Sequence, residues 1–181
     1  AAVFFCAGEY KRPKIEVEVF RVGNEHKKQV WEIFRKYHYL NTSLHPAAEQ
    51  WVGLVNGKLV CHRGIIQFPM RKGWKRGHRM VVLPDYQGIG IGTAFENYTS
   101  QYYADKGWKV NVTTTTPALV NTLMRSDKWS LFRFGRQKST WDNPTAAKYK
   151  KGAKQMKALG KSKSNNRVTY SFNFIGNKTE E

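Results

Sequence analysis

An α/β (α+β) fold, with strands and helices sharing one core, is what the sequence predicts, and three observations predict it. Residues Val81 to Thr93, VVLPDYQGIGIGT, read as a buried strand running through a glycine loop into a helix. Asn56-Gly57 separates two apolar runs, the strongest short-range signal for a hairpin. KIEVEVF near the beginning and RVTYSFNFI near the end alternate apolar and polar residues, the period of a strand with one buried face. At 181 residues and 40% hydrophobic content, the chain suits one domain over 1–181 with its own core.

Taken in order, the opening AAVFFCA is apolar but too short to span a bilayer and lacks a basic flank, so it reads as a strand. Ile15, Val17 and Val19 then mark the first alternating strand. From Glu25, residues Val30, Trp31, Phe34 and Tyr37 recur at three- and four-residue spacing and predict an amphipathic helix ending near Tyr39. WVGLV and KLVCHRGIIQF form the hairpin strands, MRKGWKRG a basic turn, and HRMVVL a short strand that stops at Pro84. Ile91, Ala94, Phe95, Tyr98 and Tyr102 make a helical stripe, with Gly107 a natural stop after Lys106. WKVNVTTT reads as a strand, Pro117 to Arg125 as a short helix with proline in its first turn, and LFRFGRQ as a strand. Residues 138–166 shift to Lys, Ser, Asn and Gly, a basic insertion before the last strand, RVTYSFNFI.

Lysine and arginine outnumber acids 31 to 13, a net charge of +18 that attracts polyanions through salt-sensitive contacts. Only Cys6 and Cys61 occur, far apart, so neither a disulfide framework nor a zinc site is indicated, and a reducing cytoplasm fits best. No metal and no membrane partner are expected.

The glycine loop separates three chemistries. A P-loop ends in Gly-Lys-Ser/Thr, but Gly92 is followed by Thr93 and Ala94, with no lysine to reach a nucleotide's terminal phosphates. A dinucleotide fingerprint needs G-x-G-x-x-G/A, and neither frame matches: from Gly88 and Gly90 the third position is Thr93, and from Gly90 and Gly92 it is Phe95. What remains is Q-x-x-G-x-G at Gln87, Gly90 and Gly92.

That pattern resembles the pyrophosphate loop of the GNAT superfamily of N-acetyltransferases. The resemblance implies a central, mixed, mostly antiparallel sheet of about seven strands flanked by helices, and acetyl-CoA or another acyl-CoA as donor. Glycines without side chains let backbone N–H groups approach a diphosphate, and the helix N-terminus adds partial positive charge. By resemblance the loop residues Gln87, Gly88, Ile89, Gly90, Ile91, Gly92 and Thr93 bind the cofactor. Met80, Val81, Val82 and Leu83 would receive its pantetheine arm along a splayed strand, and Asn121 would contact the same arm. The runs KYHYL and HRMVVLPDYQGIGIGT are also similar to acetyltransferase-like proteins of phages and mobile elements and to a domain attached to some ABC-type ATPases.

Catalytic residues are less plainly marked. Relatives of this type place a tyrosine acid within N-x-x-A-x-x-L-Y, whereas TPALVNTLM has Thr116 near the Asn position and Met124 near the Tyr position. His78, at the start of the strand that borders the acetyl group in the family, is the first candidate base, because imidazole titrates near neutrality. Glu49 and His62 follow it. Tyr37, His38 and Tyr39 lie where the family's substrate-facing segment sits. From Arg133 to Lys163 ten basic residues face the single Asp142, with Trp141 and Tyr149 interspersed, a footprint suited to nucleic acid such as tRNA or DNA, or to another polyanion. Two functions stay open: an acetyl-CoA-dependent N-acetyltransferase acting on an unidentified amine, and a basic binding module that kept the fold without catalysis.

Overall fold

The computed structural model describes residues 2–6, 15–38, 43–68, 71–136 and 168–176. Tyr39 and the basic insertion at 138–166 lie outside them. Among the described residues, eight strands form one sheet: β1 (Ala2–Cys6), β2 (Ile15–Arg21), β3 (Glu49–Val55), β4 (Lys58–Gln67), β5 (Trp74–Val82), β6 (Lys109–Thr114), β7 (Trp129–Arg136) and β8 (Val168–Phe174). Their spatial order is β1-β2-β3-β4-β5-β6-β8-β7, antiparallel throughout except for β5 and β6. The opening apolar run supplies the eighth strand by pairing with β2.

Among the described residues, three α-helices cover this sheet: α1 (Lys27–Phe34), α2 (Ile91–Ala104) and α3 (Pro117–Met124). α1 stops at Phe34, and a 3-10 turn carries the chain on to Tyr37. The two faces bury different sets of residues. Under α2, Val17, Val19, Cys61 and Ile65 meet Ile91, Phe95 and Tyr103. Val112 and Phe172 meet Val120 and Leu123 under α3. Val110 and Val112 share one face of β6 and belong to these two clusters, so α2 and α3 lie on the same side of the sheet. Trp31 and Phe34 of α1 pack on Val52 and Val81 from the opposite side.

The hairpin forms as the sequence predicts. Asn56 at φ 49° and Gly57 at φ 73° both adopt the left-handed conformation that a two-residue turn between right-twisted strands requires. The basic turn before β5 is shorter than expected, because Trp74–Gly77 belong to the strand. Lys75–Gly77 pair with β4 on one side, and Trp74–Arg76 pair with β6 on the other.

Candidate functional site

β5 leads through a 3-10 turn, Pro84–Tyr86, and a glycine loop into α2. Gly88 and Gly90 sit at φ 77° and 94°, a region that side-chain-bearing residues rarely adopt. Gly92 is needed for a different reason. A Cβ there would lie 3.1 Å from Met80 Cε and 3.2 Å from Val82 Cγ2, so its hydrogen is what lets the first turn of α2 press against β5. Gln87 Nε2 donates to the Val82 carbonyl at 2.8 Å, and the Gln87 amide donates to Pro84 O at 3.1 Å, which ties the loop to the end of the strand. Gly90 is the N-cap of α2, and among the described residues no side-chain cap hydrogen bond forms there. The N-terminal N–H groups therefore keep their donor capacity for an outside acceptor, the physical requirement for holding a diphosphate. Ile89 packs on the main core and Ile91 is fully buried within it, while Thr93 is half-buried.

Next to this loop the sheet divides. Parallel pairing of β5 with β6 lasts for three residue pairs and ends at Arg76↔Asn111. Beyond it, β5 stays with β4 as far as Val82, while β6 follows β8. The register between β4 and β5 jumps from Gly64↔Arg79 to Ile65↔Gly77, which makes His78 the extra residue of a bulge. A cleft of about 290 Å³ fills the opening. One wall is Arg76 to Met80, the other is Thr113 to Thr116 with Leu119, and His38 joins them.

Arg63 and Glu96 also line the cleft, and sequence reasoning had singled out neither. Each side chain is 1% exposed, and the Arg63 guanidinium ion-pairs with Glu96 Oε1. Arg63 Nη1 also donates to Glu96 O and Ser100 Oγ, both at 3.0 Å, and to Thr99 Oγ1. Gly77 makes room above, since a Cβ there would meet Val112 Cγ2 at 2.7 Å and stand 3.5 Å from Arg63 Nη2. The pair thus fastens β4 to α2 under the point where β5 and β6 part. Its signal in the sequence is an arginine between Cys61 and Ile65 at strand period, an inward position that demands a buried partner.

Of the three catalytic candidates, His78 alone lines the cleft. Its Nε2 accepts the His45 amide at 3.2 Å, which places the ring proton on Nδ1. Burial pushes this imidazole down to about 4, and the charges of Arg79, His45 and Arg76 act in the same direction. His62 lies on the α1 face, fully buried against Trp31 and Phe34, with Nε2 3.0 Å from Gln50 Oε1. Burial and then the nearby His38 push it down to about 3. Glu49 belongs to an ion cluster at the far end of α2. Lys75 Nζ donates to its Oε1, and Arg21 Nη2 and the Tyr103 hydroxyl reach its Oε2 at 2.8 and 2.9 Å. Burial alone would raise its carboxyl, but the hydrogen bonds from Lys75 and Tyr103 and the charges of Lys75 and Arg21 hold it below the usual carboxylate range.

The remaining predicted residues divide in the same way. Met80 lines the cleft, and Val82 meets the start of α2 beside it. Val81 turns to the α1 cluster, and the Leu83 amide donates to Val60 O at 2.9 Å. His38 is at the cleft, but Tyr37 is 43% exposed under Lys36 and does not line it. On α3, Thr116 and Leu119 reach the cleft, whereas Asn121 is exposed and does not. Met124, at the position of the family's tyrosine, is 56% exposed.

No family model and no curated protein sequence matches this chain. Solved structures match it along most of its length. The ribosomal-protein-S18-alanine N-acetyltransferase of Escherichia coli superposes with TM-score 0.59 at 13% identity, covering 91% of this chain and 97% of that one. A GNAT-family acetyltransferase of Streptococcus pneumoniae gives TM-score 0.58 at 11% identity, over 88% and 99%. Another from Elizabethkingia anophelis, solved with acetyl-CoA bound, gives 0.53 at 9% identity, over 87% and 97%. The fold is that of the GNAT acetyltransferases.

Proposed function

We propose that this chain is an acetyl-CoA-dependent N-acetyltransferase that passes the acetyl group directly to a primary amine. One observation supports this reading above the others: where β5 and β6 part, a cleft opens whose wall at Met80 adjoins Gly92 in the first turn of α2, with Gly88 and Gly90 at positive φ just ahead of that helix. The loop and helix N-terminus hold the diphosphate, and the free edge of β5 holds the pantetheine arm. The acetyl group then lies near the bulge at His78, the residue left out of the β4 pairing, whose backbone N–H is the donor we assign to the developing oxyanion.

In the reaction the amine lone pair forms the new N–C bond, the C–S bond breaks, and the sulfur leaves as thiolate. The chain offers little for proton transfer, and little is needed. A thiol titrates near ~8.5, so the leaving thiolate needs no strong acid. The positive field of Arg76 and Arg79, which helps hold His78 neutral, also favours the neutral form of an amine bound beside it, and the released proton passes to water. His78, with Nε2 occupied and the proton on Nδ1, orients the acceptor as a donor and is not the base that its residue type first suggests. Glu49 and His62 serve the fold. The net charge of +18 favours an acceptor carried on or near a polyanion, nucleic acid included.

The test is amine-dependent release of free thiol from acetyl-CoA. Release is expected, with kcat/KM ~10- to 100-fold lower in His78→Ala through lost positioning. Stable acetyl-CoA binding without thiol release for any amine would leave a binding module in place of an enzyme.

A further inference from the structure

The cleft wall contributed by β5 carries two guanidinium groups, Arg76 and Arg79, with His78 between them and His38 facing them. Glu96 is the one carboxylate lining the cleft among the described residues, and Arg63 already neutralises it. Arg76 is half-buried, and among the described residues it has no ion-pair partner. Its guanidinium carbon lies 5.4 Å from the centroid of the Phe68 ring. Burial pushes its pKa down, the expected response of a cation removed from water without a counter-charge. Arg79 Nη1 donates to the His78 carbonyl at 2.9 Å, which holds its charge at the rim of the same space.

From this geometry we infer that the acceptor bears an anionic group, a carboxylate or phosphate, next to its amine, and that Arg76 binds that group. The inference rests on the reading of the cleft as the site of acetyl transfer. A guanidinium presents two parallel N–H donors that match either oxyanion. The charge of Arg79, which acts on His78 beside it, also favours the neutral, nucleophilic form of the amine. A polyamine would bring further positive charge against Arg76 and Arg79 and is the disfavoured class.

The experiment compares four amines of similar reach by thiol release from acetyl-CoA: β-alanine, 2-aminoethyl phosphate, β-alaninamide and 1,3-diaminopropane. Stabilisation of the wild-type chain by acetyl-CoA is measured first. The expected result is kcat/KM for an anionic amine about tenfold or more above β-alaninamide, with 1,3-diaminopropane lowest. That ratio should fall about tenfold in Arg76→Gln, through KM. A higher value for 2-aminoethyl phosphate than for β-alanine assigns phosphate, and the reverse assigns carboxylate. With acetyl-CoA stabilisation present, equal or faster turnover of the neutral or cationic amine, no turnover of either anionic one, or a ratio unchanged in Arg76→Gln overturns the anionic-acceptor assignment alone. Without that stabilisation, the acetyltransferase reading falls with it.

Discussion

Breaking the Arg63–Glu96 pair should destabilise the fold more than removing it altogether. Both side chains are 1% exposed, and the two Nη groups of the guanidinium bond to α2, through Glu96 Oε1, Glu96 O, Thr99 Oγ1 and Ser100 Oγ, while Nε is buried without a hydrogen-bond partner among the described residues. Arg63→Met leaves a buried carboxylate alone, and Glu96→Leu leaves a buried guanidinium with only neutral acceptors. Each is expected to cost ~3–5 kcal/mol, the range for an uncompensated buried charge. For a domain of this size ~1 kcal/mol shifts Tm by ~2–4 °C, so each single variant should melt ~6–20 °C lower. The double variant replaces both charges with apolar side chains of similar volume. Thr99 Oγ1 keeps its bond to Phe95 O at 2.7 Å, so the double should cost less than either single. Thermal and urea unfolding of the four proteins measure this cycle. Singles that each cost under ~1 kcal/mol, or a double equal to their sum, would refute a coupled pair anchoring α2 to β4.

Two further outcomes follow from local geometry. Gly88→Ala places a side chain at φ 77° with no atom within 4 Å of the new Cβ, so its cost is backbone strain alone, ~1–2 kcal/mol by urea unfolding. A change within ~0.5 kcal/mol would mean that the loop adopts another conformation. Acid should also weaken the fold through His62, which titrates near 6.5 unfolded and about 3 folded. The stability from its burial is complete above 6.5 and is lost as pH falls from there towards 3, ~2 kcal/mol of it by pH ~5. Urea midpoints of wild type and His62→Phe should therefore converge, or cross, in the direction of acid. Parallel curves would show that His62 is not buried in its neutral form.

The elements that carry strong local signals were legible in the sequence: the Asn56-Gly57 hairpin, the strands at both ends, and the passage from β5 through the glycine loop into α2. These depend on period and on glycine chemistry, which neighbouring residues alone reveal. The site's polar residues were less legible because their roles depend on which face and which end of the sheet they occupy. His62 and His78 are the same residue type on adjacent strands, yet one is sealed under α1 and the other protrudes from a bulge at the cleft. Glu49 stands at the start of a strand, as an exposed base might, but tertiary contact brings Lys75, Arg21 and Tyr103 around it. Arg63 and Glu96 lie 33 residues apart, and only the packing of α2 on β4 makes them a pair. The separation of β5 from β6 is implied only by the resemblance that the glycine loop carries; the strand residues do not mark it, because it follows from where parallel pairing stops.

In the proposed function the loop from Gln87 to Thr93 holds the diphosphate of acetyl-CoA. Thermal unfolding with and without acetyl-CoA, for wild type, Gly90→Ala and Gly90→Glu, tests it most directly. Both variants share the strain at φ 94°, but only glutamate puts negative charge at the N-cap of α2. A stabilisation of ~2.7 kcal/mol is expected for wild type at a hundredfold excess over Kd, with a comparable shift in Gly90→Ala and its loss in Gly90→Glu. No shift of the wild-type midpoint at millimolar acetyl-CoA, or an equal shift in Gly90→Glu, would contradict it.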